Sequence, residues 1–259
     1  MKIATFNING IKARIEALPA WLNTANPDLV CLQEIKSVDE AFPREVFEAL
    51  GYQVETHGQK GFNGVAFMSK LPLSDIRRGL PGDGADEQSR WIEAVVDAGR
   101  PLRVCGLYLP NGNPAPGPKY DYKLAWMARM ETRVRDLLAA EESFLCLGDC
   151  NVIPQAMDAA RPEVWATDAL YLPETRETYR RMLNLGLTDA VRARMPGPGV
   201  YTFWDYQAVA WERNHGIRID HILCSPQVAD RLDGVGIDKD VRGGDKPSDH
   251  VPVWVDIAA

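Results

Sequence analysis

A short apolar run meets a polar end in Phe144-Leu145-Cys146-Leu147-Gly148-Asp149-Cys150-Asn151. The run predicts a buried strand, because four consecutive apolar side chains leave no face for solvent. Asp149 and Asn151 are two residues apart, so in an extended backbone both side chains point to the same side. Such oxygen ligands suit a hard cation such as Mg²⁺. A plain turn explains one isolated Gly-Asp-Cys-Asn sequence at least as well.

The composition predicts one domain spanning residues 1–259. Of the 259 residues, 46% are hydrophobic, and no Ser/Gly-rich linker or charge block divides the chain. Asn7 and Asn9 interrupt the apolar N-terminus, and no run approaches the roughly 18 apolar residues of a membrane helix. We therefore expect a soluble, cytoplasmic monomer without membrane contact. The cysteines at positions 31, 105, 146, 150 and 224 are expected to be reduced and structural.

Strand-like runs recur along the chain, with helical patterns between some of them, which predicts an α/β or α+β class. Strands are predicted over residues 2–8, 29–32, 52–56, 64–69, 91–97, 102–109, 144–147, 217–223 and 251–257. Helices are predicted over residues 19–23, 42–50, 119–140 and 175–184. Residues 77–89, with three glycines and a proline, are predicted to form a loop.

Polar side chains end most of the predicted strands. They are Asn7, Glu34, Tyr108, Asp149 with Asn151, and Asp249 with His250, while Asp220 lies inside a strand. If these ends meet at one edge, they combine carboxylates, amides, a tyrosine and a histidine on a rigid scaffold. The chemistry they indicate is metal-assisted hydrolysis of a phosphate ester. The net charge of −7 argues weakly against a nucleic-acid partner but is also expected of carboxylates gathered around a metal.

Each residue type suits one part of that reaction. Glu34, supported by Asn7 and Asp249, fits a Mg²⁺ ion that keeps several waters. His250 suits proton transfer or polarisation of a phosphoryl oxygen, with a carboxylate fixing its tautomer. Sequence motifs of α/β-hydrolases, P-loop NTPases and zinc proteases are absent.

Six motifs in order resemble the exonuclease III family of the endonuclease/exonuclease/phosphatase superfamily, from one end of the chain to the other. They are Phe6-Asn7-Ile8-Asn9-Gly10, Leu32-Gln33-Glu34-Ile35-Lys36, Tyr108-Leu109-Pro110-Asn111-Gly112, Gly148-Asp149-Cys150-Asn151-Val152, Arg218-Ile219-Asp220 and Ser248-Asp249-His250. The resemblance implies a four-layer sandwich, two mixed β-sheets flanked by helices. It also implies Mg²⁺- or Mn²⁺-dependent cleavage of double-stranded DNA 5′ of abasic sites, and removal of nucleotides and blocking groups from 3′ ends.

The resemblance also implies roles for individual residues. Glu34 would bind the metal, with one or two ions near the set Asn7, Asp149, Asn151 and Asp249. Tyr108 and His250 would lie at the scissile phosphate, where Asp149 would transfer the water proton and Asp220 would orient His250. Asn111 would contact DNA. The wall of an abasic-sugar pocket would contain Phe203, Trp204 and Ile217, for which ordinary sheet core is an equal alternative.

Several residues and functions stay open from sequence alone. Asn9 is either a site residue or the residue that shapes the turn at Gly10, and Trp211 is a candidate for insertion into DNA. Alternation turns His221 and Cys150 away from the site, so His221 is expected to be a solvated or core histidine and Cys150 a packing residue. A phosphatase acting on a small phosphoester such as an inositol phosphate, and a non-catalytic nucleic-acid-binding protein, are the alternative functions. The Tyr-x-Pro-Asn turn favours DNA.

Binding to DNA requires cations that face phosphates, and the candidates are Lys12, Arg14, Lys36, Lys60, Arg90, Lys119, Arg213 and Arg218. We expect DNA affinity to fall steeply with salt, because each neutralised phosphate contributes a slope of about −0.9 to the plot of log K against log salt. Fluorescence anisotropy with a labelled duplex, measured from low to high salt, tests this. A salt-independent affinity contradicts it.

Overall fold

The computed structural model of the protein describes residues 1–97 and 99–258, which form two six-stranded sheets flanked by helices. The first sheet has the spatial order β11 (Leu232–Ile237), β12 (Val253–Ile257), β1 (Lys2–Asn7), β2 (Leu29–Gln33), β4 (Val65–Ser69) and β3 (Gln53–His57). The second has the order β5 (Leu73–Arg78), β6 (Trp91–Asp97), β7 (Pro101–Tyr108), β8 (Phe144–Asp149), β10 (Asp220–Cys224) and β9 (Thr188–Asp189).

The helices are α1 (Ala17–Ala25), α2 (Arg44–Glu48), α3 (Pro118–Ala139), α4 (Pro173–Asn184), α5 (Ala190–Arg194) and α6 (Pro226–Ala229). Both sheets are mixed, as the sequence predicts. Each has a central parallel pair, β1 with β2 and β7 with β8, and its other pairs are antiparallel. A crossover containing α1 or α3 joins each parallel pair, as parallel pairing requires. No helix in the described ranges combines the length and apolar character needed to cross a membrane.

The two sheets pack face to face over one apolar core. Leu29 and Phe67 from the first sheet and Val104 and Leu145 from the second are all fully buried there. Separate apolar clusters lie between the sheets' outer faces and the helices that cover them. Removal of this apolar surface from water is the main stabilising term of the fold.

Helix α3 is predicted from sequence to within one residue at each end, at 119–140 against the observed Pro118–Ala139. Its predicted core positions are Leu124, Met127, Met130, Val134, Leu137 and Leu138, of which Leu124 and Leu138 are only half-buried. Proline at the first position suits a helix start, where the missing N–H has no partner to lose. The periodicity does not predict that Lys123 is completely buried.

Three predictions about strands are corrected by the structure. The predicted loop 77–89 begins with the end of β5, an exposed edge strand whose charged sequence gives no apolar alternation. Strand β11 is missed because two glycines interrupt it. Residues 217–219 precede β10 rather than belong to it, because Ile217 instead forms isolated bridges with Ala159 and Phe203.

All five cysteines are buried and unpaired, which confirms that they are structural. Burial raises the pKa of the Cys31 and Cys224 thiols to about 12. Among them, Cys150 packs in the cluster beneath α3 and takes no part in the polar edge of the sheet.

Gly148 lies where the backbones of the two central strands of the second sheet, β7 and β8, approach each other closely. It pairs with Leu107, and a Cβ added at Gly148 would lie 1.8 Å from the Leu107 carbonyl oxygen. The Leu107 carbonyl belongs to the backbone, so it cannot rotate away from an added methyl group as a flexible side chain could. The glycine in this sequence is therefore required by the approach of β7 to β8.

We predict that Gly148→Ala lowers the free energy of unfolding by about 3 kcal/mol, because β7 and β8 must separate to admit the methyl group. Urea denaturation followed by circular dichroism measures the change. Gly84→Ala is the matched control, since its Cβ would meet nothing within 4 Å. Equal stability of the two variants contradicts the prediction.

Candidate active site

The polar strand ends gather in a pocket of about 310 Å³ at one edge of the two sheets. Eight of the residues predicted from sequence line it: Glu34, Tyr108, Asn111, Asp149, Asn151, Phe203, Asp249 and His250. Phe203 forms part of its wall. Asn7 and Asp220 are completely buried and lie behind the pocket, where they contact the lining residues.

Asn7 joins the two sheets beneath the pocket. Its Nδ2 donates to Glu34 Oε1 at 2.9 Å and to Asp149 Oδ2 at 2.9 Å, while its Oδ1 accepts from the backbone N–H of Asn9 at 3.1 Å. Glu34 follows β2 in the first sheet and Asp149 ends β8 in the second. One amide therefore holds two carboxylates from different sheets at hydrogen-bonding distance from the same nitrogen.

The chain turns sharply where the parallel strands end. Asn9, Glu34, Lys36 and Asn151 all have left-handed backbone conformations, with φ between +46° and +53°. Asn tolerates this region, but each bulkier residue there costs about 1–3 kcal/mol and needs support from its surroundings. At Glu34 this support includes a hydrogen bond in which Gly10 N–H donates to the Glu34 carbonyl oxygen at 2.7 Å.

Glu34 and Asp249 are connected through Lys36 and Asn9. Lys36 Nζ lies 3.0 Å from Glu34 Oε2 and donates to Asn9 Oδ1, and Asn9 Nδ2 donates to Asp249 Oδ1 at 3.1 Å. Burial alone would raise the pKa of Glu34, but Asn7 and Lys36 outweigh it and lower that pKa. Asn9 thus links two carboxylates of the pocket in addition to shaping the turn at Gly10.

His250 is held by Asp220 from behind. Its Nδ1 lies 2.8 Å from Asp220 Oδ2, and its Nε2 lies 3.6 Å from Asp149 Oδ2. Asp220 and Asp149 are register partners on β10 and β8, which places both carboxylates beside one imidazole. Burial alone would lower the pKa of His250, but these carboxylates raise it to about 10. Phe203 packs edge-on against the ring at 4.9 Å.

Asp149 is the most enclosed acid of the pocket. Burial and the neighbouring Asp220 raise its pKa to about 7, although His250 and the Asn151 backbone N–H, which donates to Asp149 Oδ1 at 2.9 Å, act in the opposite direction. An acid whose pKa lies near neutrality can both accept and release a proton.

Tyr108 and the two amides complete the pocket. Burial and the charges of Glu34 and Asp149 raise the pKa of Tyr108 well above its usual value, so the phenol keeps its proton. Asn151 Nδ2 donates to Leu109 O at 2.9 Å, and Asn151 Oδ1 accepts from Asn111 Nδ2 at 3.3 Å. These contacts fix Asn151 beside Asp149 and connect it to Asn111.

The donor set suits a hard divalent cation. Carboxylate and amide oxygens dominate it, and no three His, Cys, Asp or Glu side chains form a metal cage in the described ranges. Mg²⁺ binds through one or two carboxylates and keeps its waters, so a cage is not required. The carboxylates that Asn7 brings together meet this requirement, and Asn7 presents its nitrogen to them rather than its oxygen.

Three residues lie elsewhere than the sequence predicts. Trp204 is completely buried and packs edge-on against Trp211 at 5.0 Å, so it is not in the pocket wall. Ile217 is buried in a small apolar cluster behind the wall. Arg218 is 1% exposed and bonds Asp158 and Asp189, so it is not a surface cation for DNA.

The pocket also contains residues that the sequence analysis misses. They are Asn113, Trp165, Asp168, Leu170, Asp205 and Ile219. Ile219 could have been found, because it alternates with Ile217 on the same face. The segment containing Trp165 and Asp168 has no regular periodicity, and only tertiary contacts bring it to the pocket.

Comparison with known proteins agrees with this site. A sequence model of the Endonuclease/Exonuclease/phosphatase family matches residues 4–250, which is nearly the whole chain. The chain belongs to this family.

Relatives within the family match the chain from end to end. Exodeoxyribonuclease III from Haemophilus influenzae is 38% identical, and the match covers 99% of each chain. Among solved structures, an AP endonuclease from Archaeoglobus fulgidus superposes with a TM-score of 0.94 at 35% identity. The 3′ phosphatase NExo from Neisseria, bound to product DNA hairpin, superposes with a TM-score of 0.96 at 35% identity. Both matches cover 100% of each chain.

We predict that in EDTA, without metal, His250 stays protonated beyond pH 8, since Asp220 and Asp149 raise its pKa. Asp220→Asn removes one of these charges and should lower the pKa of His250 by about 1–3 pH units. A nuclear magnetic resonance titration of the ring protons measures both values, with His250→Ala for assignment. Wild-type titration near the ordinary 6.5 contradicts the prediction.

Proposed function

We propose that the chain is a metal-dependent DNA repair nuclease. It hydrolyses backbone phosphodiesters 5′ of abasic sites and removes nucleotides and blocking groups from the 3′ ends of double-stranded DNA. It uses Mg²⁺, for which Mn²⁺ can substitute, and acts as a monomer formed by one domain over residues 1–259.

The observation that supports this proposal is that one pocket combines oxygen ligands for a cation with groups that can transfer a proton. Glu34 and Asp249 offer oxygen ligands for a cation. Asp149 offers a base, and His250, held by Asp220, offers a proton donor. Phe203 adds an apolar wall beside them. A phosphodiester placed between these groups meets a cation site, a base and a donor at once.

When bound, the divalent cation would stabilise the charge that develops on the phosphate and on the leaving 3′ oxygen. Glu34 and Asp249 would hold it, with Asn7 fixing the orientation of Glu34. In this assignment Lys36 balances part of the negative charge of Glu34.

Proton transfer is assigned to Asp149 and His250. Asp149 accepts the proton of the attacking water, because its pKa of about 7 allows the carboxylate form at neutral pH. His250 remains an imidazolium whose Nε2 donates to a phosphoryl oxygen, since its Nδ1 is occupied by Asp220. The protonated Tyr108 hydroxyl is a second donor at the phosphate, and Asn151 orients the water.

Recognition of DNA is assigned to Asn111 and the wall. Asn111 lies in the turn after β7, where its side chain reaches the pocket. The apolar wall includes Phe203, Ile219 and Leu170, and it would favour a base-free sugar over an intact nucleotide. A small phosphoester as substrate is not favoured, because similar proteins are named as an exodeoxyribonuclease, an AP endonuclease and a 3′ phosphatase bound to a product DNA hairpin.

We predict that Asp149→Asn and His250→Ala each lower kcat by about 10²–10⁴-fold, because each removes a group that transfers or donates a proton. Both should keep DNA affinity, measured by anisotropy in EDTA. His57→Ala, on β3, is the control and should keep wild-type turnover. Wild-type rates in either site variant remove that residue from its assigned role.

A substrate panel tests the proposed function itself. The purified protein receives a duplex with one abasic-site analogue, an undamaged duplex with recessed 3′ ends, and inositol bisphosphate, each with Mg²⁺ or EDTA. We predict cleavage of DNA with Mg²⁺ and none with EDTA, because no protein group replaces the cation. Phosphate release from inositol bisphosphate without cleavage of either DNA overturns the proposal.

A further inference from the structure

Helix α3 contains a lysine whose charged end is completely buried. Lys123 Nζ donates to three backbone carbonyls, those of Asn151 at 2.7 Å, Asn111 at 3.0 Å and Ala169 at 3.1 Å. An ammonium has three N–H groups, so each has one acceptor. All three acceptors are neutral.

Burial of a cation among neutral groups is unfavourable by several kcal/mol, unlike a lysine that keeps its charge in water. This penalty applies to Lys123, because burial lowers the pKa of its ammonium to about 7 although the Asp168 and Asp149 carboxylates act to raise it. Apolar packing at this position on α3 would avoid that penalty. The three carbonyl contacts therefore point to a function beyond filling the core.

The three carbonyls belong to three different segments, and all three segments line the pocket. Asn111 lies between β7 and α3, Asn151 follows β8, and Ala169 lies between Asp168 and Leu170. The segments also contact each other in pairs: the backbone N–H of Ala169 donates to Asn113 Oδ1 at 3.1 Å, and that of Ile153 donates to Leu170 O at 2.8 Å. Asn111 Nδ2 reaches Asn151 Oδ1 at 3.3 Å, the long end of hydrogen-bonding distance. Lys123 Nζ, by contrast, bonds to all three segments at once.

Gly112 gives independent support. A Cβ at Gly112 would lie 2.6 Å from Lys123 Cδ and 3.2 Å from Ala169 Cβ, and the residue has φ +91°. The turn after β7 therefore closes directly over the lysine stem. Both the backbone conformation and the missing side chain at Gly112 fit this contact.

We propose that Lys123 is a positioning residue, which sets the spacing of the three segments so that Asn111 and Asn151 meet the scissile strand in the reactive arrangement. The proposal rests on the proposed nuclease function. Lys123 itself does not reach the pocket. Its loss should therefore affect the reacting geometry more than the affinity for DNA.

The test is Lys123→Met, which keeps the length of the stem and removes the three donors. On the abasic duplex with Mg²⁺ we expect kcat to fall about 10²-fold, as a displacement near 1 Å at the reacting groups would cause. KM and the affinity in EDTA should change little. Lys123→Gln, which restores N–H donors, should recover part of kcat.

Arg129→Met is the matched control on the same helix. Arg129 also donates to backbone carbonyls, those of Leu80 and Pro81, but these belong to a loop that does not line the pocket. This variant should keep the wild-type kcat even if its melting temperature falls. Comparison of the two variants separates lost stability from lost positioning.

Two outcomes overturn the proposal: a wild-type kcat in Lys123→Met, or an equal loss of kcat in Lys123→Met and Arg129→Met. If Lys123→Met does not fold, Lys123→Gln is judged by the same two criteria. An inactive wild-type protein would instead refute the nuclease function, so the two failures are distinguishable.

Discussion

The structure depends on the contacts of one amide. Asn7 donates to Glu34 and to Asp149, which belong to opposite sheets, so the packing of the sheets and the geometry of the pocket are set together. Two carboxylates held this close repel each other, and the shared N–H donor of Asn7 offsets that repulsion. The apolar core brings the sheets together without fixing their relative position, because the hydrophobic effect is not directional. The hydrogen bonds of the Asn7 amide are directional, and they constrain how the two sheet edges lie relative to each other.

A second buried polar cluster, centred on Arg218, lies beside Asp220 in the chain. Arg218 bonds Asp158 at 2.7 Å and Asp189 at 2.8 Å, and His221 accepts from Arg218 through Nδ1 at 3.0 Å. Burial and the Arg218 charge lower the pKa of His221 to about 4, so this imidazole is neutral. Asp220 and His221 are neighbours in β10, so alternation turns Asp220 to the side opposite His221, where it meets His250. At neutral pH His221 is therefore uncharged and His250 is protonated, because their charged neighbours differ.

The sequence predicts those parts of the molecule that local patterns determine. Apolar runs with polar ends locate β1, β2, β7, β8 and β12. Six lining residues follow from those ends: Glu34, Tyr108, Asp149, Asn151, Asp249 and His250. Contacts between distant segments are not encoded in local periodicity. Trp204 and Arg218 look like a wall residue and a surface cation in sequence, and only their tertiary neighbours show that both are buried. The burial of Lys123 is hidden for the same reason.

The five enclosed cysteines have a chemical consequence for an enzyme of damaged DNA. Peroxides and alkylating agents react with the thiolate, and they reach it only when it is exposed. In this chain every thiol is shielded, and burial keeps Cys31 and Cys224 protonated with pKa values of about 12. The same reagents that create lesions in DNA therefore find no sulfhydryl nucleophile on the surface of the protein. Ordinary side-chain packing therefore protects these five thiols from oxidation and alkylation.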